Sequence, residues 1–107
     1  MGVEVTLGDY SPEVLRELAD KIPIALKTVG LVAEGYAKRL CPVDTGNLRN
    51  SITHAVEGNA AYIGTNVYYA PYVEMGTQHT RAQPYLRPAI INNIDTYKQI
   101  VKNTLGQ

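Results

Sequence analysis

Ile22-Pro23-Ile24-Ala25-Leu26-Lys27-Thr28-Val29-Gly30-Leu31-Val32-Ala33-Glu34-Gly35-Tyr36-Ala37-Lys38-Arg39-Leu40 is the stretch on which the fold turns. Ile22, Leu26, Val29, Ala33, Tyr36 and Leu40 step by four, three, four, three and four. That spacing draws one apolar stripe down a helix. Lys27, Thr28, Glu34, Lys38 and Arg39 lie off the stripe, and the last two suit the negative end of the helix dipole. Gly30 and Gly35 each cost about 1 kcal/mol of helix propensity relative to Ala. Either they admit another backbone closely or they are merely tolerated.

Upstream, Ser11-Pro12-Glu13 reads as a helix start, with Ser as cap and Pro at the first helical position. Val14, Leu15, Leu18 and Ile22 follow at helical spacing. Pro23 then predicts a kink or a fresh start, so the helical region runs over about 12–40 and is broken near Pro23. Before it, Val3, Val5 and Leu7 alternate with Glu4 and Thr6, predicting a strand over 3–7.

Downstream, Pro42 ends the long helix, and Asp44-Thr45-Gly46 is turn chemistry. Residues 51–57 and 60–67 read as two strands joined at Gly58-Asn59, a two-residue hairpin signal. Tyr69 to Gly76 reads as one helical turn, with Pro71 near its start and Gly76 just past its end. Thr77 to Gln83 is polar and aperiodic and predicts a mobile arm. Pro84-Tyr85-Leu86-Arg87-Pro88 opens a last helix over 86–104, with Ala89, Ile90, Ile94, Tyr97, Ile100, Val101 and Leu105 as its apolar face. The pattern is that of one α+β domain over residues 1–107.

Composition narrows the function. Ten basic and ten acidic residues cancel, and the Lys and Arg are scattered, which argues against nucleic acid as the main partner. The start Met-Gly-Val-Glu-Val lacks the pattern of a signal peptide, and no apolar run nears the roughly 20 residues needed to span a bilayer. The expectation is a soluble protein made in the cytoplasm. Cys41 is the single cysteine, so no internal disulfide can form. Eight Tyr with no Phe or Trp fit two readings. They can be surface rings buried on assembly, or they can replace Phe in a half-wet core.

Asp44-Thr45-Gly46 is also the triplet of aspartic proteases, whose chemistry needs two such aspartates facing each other across a dyad. Those enzymes lead into the triplet with apolar strand residues. Here a helix leads in through Cys41-Pro42, so a dimeric protease stays a remote alternative. Cys41 with His54 or His79 makes a nucleophile–base pair only if the fold unites them, and nothing in the sequence does. His54, His79, Glu74 and Asp44 lack metal-ligand spacing, and the isolated Gly8, Gly30 and Gly35 make no phosphate loop. The chain therefore predicts no catalytic residue, no metal and no cofactor.

Three segments carry a resemblance: Cys41 to Ile52, Tyr68 to Thr77, and Gln83 to Ala89. In this order, after an amphipathic helix of this length, they resemble the HK97-type, gp10-like tail-completion or neck (head–tail joining) proteins of bacteriophages. The likeness covers about residues 11–105. Tyr85 and Met75 depart from it, each standing where Phe is usual. The resemblance implies a long kinked N-terminal helix and a C-terminal helix packed on a small antiparallel sheet. It implies a virion or prophage protein of the head–tail junction, without catalysis. The implied partners are further copies of itself in a ring, head-closure or connector proteins, and tail-tube or tail-terminator proteins. Neither a membrane nor a bound nucleic acid is implied, beyond a genome passing through the lumen. A small nucleic-acid-associated or toxin-like bacterial protein sharing these turns is the alternative.

The residues suggest roles of their own. Asp44, Thr45 and Gly46 turn the long helix into the sheet, and Leu48 and Ile52 plug the sheet face. Tyr69, Ala70 and Pro71 set the turn into the short helix, and Pro84 and Pro88 fix the entry of the last one. Ser51, Gly76 and Leu86 belong to the same framework. Glu74 is a carboxylate in an apolar segment and needs a partner, for which Arg49, Arg81 and Arg87 are candidates. Tyr68, Tyr72, Tyr85, Arg81 and Arg87 are the candidate interface residues.

Overall fold

A computed structural model describes residues 1–7, 10–43 and 46–106. It is α+β, with a three-stranded antiparallel sheet and six helices among those residues. The order is β1 (Gly2–Thr6), α1 (Pro12–Glu17), α2 (Ile22–Leu40), α3 (Asn47–Ser51), β2 (Thr53–Glu57), β3 (Ala60–Gly64), α4 (Ala70–Met75), α5 (Leu86–Ile91) and α6 (Ile94–Leu105).

Ser11 caps α1 as its sequence suggests, its Oγ accepting from Val14 N at 3.3 Å. The helical region breaks at residues 18–21, and Pro23 enters α2 at its second position. The amide that proline lacks would have no acceptor there, so it costs no hydrogen bond. The stripe of α2 is wider than the spacing predicts. Ile22, Leu26, Val29 and Ala33 are buried, but so are Ala25, Gly30 and Ala37, while Leu40 is exposed. Small residues on that side let α2 lie close to two layers at once, the sheet on one side and α5 with α6 on the other.

The sheet order is β1-β3-β2. Its register aligns Val3 with Ile63 and His54, and Val5 with Ala61 and Val56, so these residues share the face toward α2. Glu4, Tyr62 and Ala55 share the opposite, open face. Gly58 at φ +59 with Asn59 at negative φ closes the β2–β3 hairpin. On the inner face His54 packs over Gly30, where a Cβ would meet the ring at 3.1 Å. His54 Nδ1 lies 3.0 Å from Glu34 Oε1, and Lys38 donates to Glu34 Oε2 at 3.3 Å.

Three elements differ from the sequence expectation. Residues 47–51 form a helix where a connector and the start of a strand are expected, and β3 stops at Gly64 instead of reaching residue 67. The cause of the second is Thr65, whose buried Oγ1 accepts from Val67 N at 3.1 Å and turns the chain out of the sheet. The last helix is two helices, divided at Asn92-Asn93. Asn93 turns its side chain back, donating from Nδ2 to Ala89 O at 3.0 Å. Tyr97 OH donates to the same carbonyl.

Candidate docking surface

The site is built at the end of the molecule that holds α3 and α4. The notional protease triplet cannot be placed in full, because Asp44 and Thr45 lie outside the described residues. Gly46 is described, and caps α3 in the left-handed region at φ +85. From there Leu48 drops into the core, and Ser51 Oγ donates to Leu48 O at 2.6 Å and meets Thr65 Oγ1 at 2.6 Å. Ser51 and Thr65 thus tie α3 to the segment that leads into α4.

That tie fixes the tyrosines. Tyr69 is half-buried, precedes α4, and its OH accepts from Asn47 Nδ2 at 3.1 Å. Ala70 is fully buried, and Pro71 takes the second helical position. Tyr68 stands edge-on to Tyr69, with ring centroids 5.3 Å apart, and is 85% exposed. Tyr72 at 58%, Met75 at 66% and Val43 at 57% are exposed as well, and Val43 and Tyr72 face a common cleft. A cleft of about 510 Å³ opens beside it, lined by Val43, Tyr69, Tyr72, Val73, Thr80 and Arg81 among others.

The opposite side of α4 is clamped. Glu74 is buried, and its Oε1 accepts from Tyr85 N at 3.0 Å and Leu86 N at 2.8 Å. Its Oε2 accepts from Arg87 N at 3.2 Å. The partner of Glu74 is therefore the start of α5. Arg49, Arg81 and Arg87, proposed from charge alone, all have exposed side chains and make no ion pair among the described residues. A carboxylate at a helix start is favoured by the aligned peptide dipoles as well as by the bonds themselves.

Tyr85 is a second correction. It is not an interface residue but a core one, fully buried, with its OH donating to Ala70 O at 3.4 Å. Burial, and after it the charges of Cys41, Glu74 and Tyr69, push its phenol up to about 12. Tyr68, Tyr72, Arg81 and Arg87 remain on the surface.

The loop between the clamp's two halves is closed rather than a free arm. Thr77 N donates to Thr80 O at 2.8 Å, and Thr77 Oγ1 accepts from His79 N and Thr80 N. Gln83 N donates to Val73 O at 2.8 Å. Gly76 makes this closure possible: at φ +75, a Cβ there would come within 2.7 Å of Ala82 N. Pro84 is exposed where the loop re-enters the fold, and Pro88 is the third residue of α5.

What the arrangement offers is an apolar, tyrosine-rich surface held on a rigid backing. No group of three or more potential metal ligands occurs among the described residues, nor is any helix among them long and apolar enough to cross a membrane. A family model described as "Bacteriophage HK97-gp10, putative tail-component" matches residues 6–76.

The chain belongs to this family.

The HK97-gp10-like match takes in the first of the three segments that carry the resemblance and the second as far as Gly76, so the third, Gln83 to Ala89, lies beyond it. No curated protein and no solved structure matches the chain. Membership makes this a phage tail-component-like structural protein, which belongs with other virion proteins. Sequence reasoning missed Thr65 and the Asn47–Tyr69 contact. The one available signal was the Thr-x-Val spacing, a hydroxyl placed to turn its own backbone.

Proposed function

We propose that this tail-component-like protein is a ring subunit of the head–tail junction, in a tail-completion or neck role, and that it acts by self-association and docking rather than by catalysis. The observation that supports this most is the exposure of Tyr72 and Met75 on α4, a helix whose other side is clamped by Glu74, with exposed Tyr68 just before it. Aromatic and Met side chains are enriched where a surface will be covered by a partner. A rigid mount spares the ordering cost that a flexible surface would add on docking. Zero net charge lets copies crowd without long-range repulsion.

Electron microscopy of particles made without this gene tests the reading. The expected result is filled heads and separate tails. Complementation with Tyr68→Ala plus Tyr72→Ala should leave the circular dichroism spectrum unchanged yet fail to join heads to tails. Normal joining by that folded double variant would refute the docking assignment.

A further inference from the structure

The sheet has two open edges, β1 and β2. Met1 and Thr65 exchange both backbone hydrogen bonds, at 2.9 and 3.1 Å, and Leu7 N donates to Asn59 O at 3.2 Å. Antiparallel pairs alternate, so the odd residues of β1 bond to β3, and Gly2, Glu4 and Thr6 turn their amides and carbonyls outward. By the same alternation His54 and Val56 turn theirs outward from β2. None of these five has a backbone partner among the described residues. Edge strands are commonly blunted by charged residues, above all Lys, by Pro or by a bulge, and Gly2–Thr6 and Thr53–Glu57 contain neither Lys nor Pro and one Glu each.

The β1 edge also borders an apolar groove of about 480 Å³, where half-buried Val5 and exposed Ile94 lie over the buried side chains of Leu7, Tyr97 and Val101. Lys98 and Lys102 line the same groove as Thr6 and Leu7, and neither makes an ion pair among the described residues. On β2 almost nothing is covered, Val56 is exposed, and the strand ends in Glu57, an exposed carboxylate that also makes no ion pair there.

We propose that the occupant of the β1 edge is β2 of a second copy, so that one sheet continues from subunit to subunit. This rests on the ring reading above. Head-to-tail contact needs two different patches, and the two edges are two different patches. β1 and β2 both run against β3. Rotation about an axis along the strands preserves their direction, so β2 meets the next β1 in parallel. That arrangement brings the Glu57 end of β2 to the Thr6 end of β1, whose groove Lys98 and Lys102 also line, and lays Val56 toward that groove. Parallel pairing is the weaker kind, which fits a joint that closes only when copies are concentrated or templated.

The test is sedimentation velocity over a concentration series with Val56→Pro. Its amide faces outward, so proline there removes no bond within the subunit and is tolerated as on other edges. The expected result is an unchanged melting curve and assembly weakened about tenfold or more. Lys102→Glu should weaken assembly too, and Glu57→Lys in the same chain should restore it. In wild-type rings, hydrogen exchange at Glu4, Thr6, His54 and Val56 should slow relative to the monomer. A folded Val56→Pro protein that assembles like wild type overturns the joint but leaves the ring reading standing. Should Val56→Pro fail to fold, the charge pair and the exchange rates decide, and no effect in both overturns the joint. Wild-type protein that stays monomeric at every concentration overturns the ring reading and the joint with it.

Discussion

Glu74 and Pro88 divide between them the four amide positions that begin α5. A helix leaves its first four N–H groups without intrahelical acceptors. Here those positions are Tyr85, Leu86, Arg87 and Pro88. The Glu74 carboxylate takes the first three, and the fourth has no N–H to satisfy. A buried helix start is thereby fully accounted for by one side chain and one ring.

Glu74→Ala should destabilise the fold by about 3 kcal/mol or more, because three amides, two of them buried, lose a charged acceptor. Glu74→Gln keeps an acceptor oxygen and should cost roughly half as much. Urea titration followed by circular dichroism measures both. Equal costs for the two would mean that packing, not amide acceptance, is what Glu74 supplies.

Tyr85→Ala should cost about 3–5 kcal/mol, the usual range for emptying a buried aromatic site. Tyr85→Phe loses only a long hydrogen bond to Ala70 O and should cost under about 1 kcal/mol. Thermal melts of the two variants separate the core role from an interface role, for which neither would shift.

High pH should unfold the protein in a defined window. Burial pushes the phenols of Tyr85 and Tyr97 up to about 12 from an ordinary value of 10. A group whose folded pKa is raised stabilises the fold fully below the unfolded pKa. That contribution is lost as pH rises through the folded one. Stability should therefore fall between about pH 10 and 12. Tyrosinate absorbance should show these two ionising together with loss of the circular dichroism signal.

At the acid end the sign reverses. Burial alone would raise the Glu34 carboxyl, but hydrogen bonds from His54 and Lys38 outweigh it and hold Glu34 below its ordinary value of 4.5. Its contribution is present above that value and is lost as pH falls through the lowered one. Glu34→Gln should flatten the acid limb of the stability profile measured by urea titration at several pH values.

Gly76→Ala should cost about 2 kcal/mol or more, since it adds both a left-handed residue and a clash with Ala82 N at 2.7 Å. Faster exchange of the Thr77, Thr80 and Gln83 amides would mark the opened loop. A melt and exchange pattern equal to wild type would show that the loop is not held through this glycine.

What the sequence disclosed was local. The Ser11 cap, the α2 stripe and the Gly58-Asn59 turn each lie within a few residues of their cause, and all are present. The division at Asn92-Asn93 was hidden because the apolar face runs on across it, from Ala89 and Ile90 to Ile94 and Tyr97, with no Pro or Gly to mark it. Tyr85 was indistinguishable from Tyr68 and Tyr72 because its burial comes from a core assembled from residues distant in the chain, among them Ala70, whose carbonyl accepts from its hydroxyl. For Glu74, charge suggested arginine, whereas the real donors are backbone amides, which every residue but proline carries and no composition reveals.

The clamp across residues 74–87 separates two kinds of inheritance. Thr77 to Gln83 wall one side of the cleft beside Tyr72, yet the loop's ends are fixed by Glu74, Gly76 and the Val73–Gln83 bond. Thr77 is part of the closure through its hydroxyl, but side chains at 78–83 make none of the closing bonds and can change without opening the loop. On the docking reading, a lineage of such proteins is free to follow a drifting partner through these six positions while the frame that presents them stays the same.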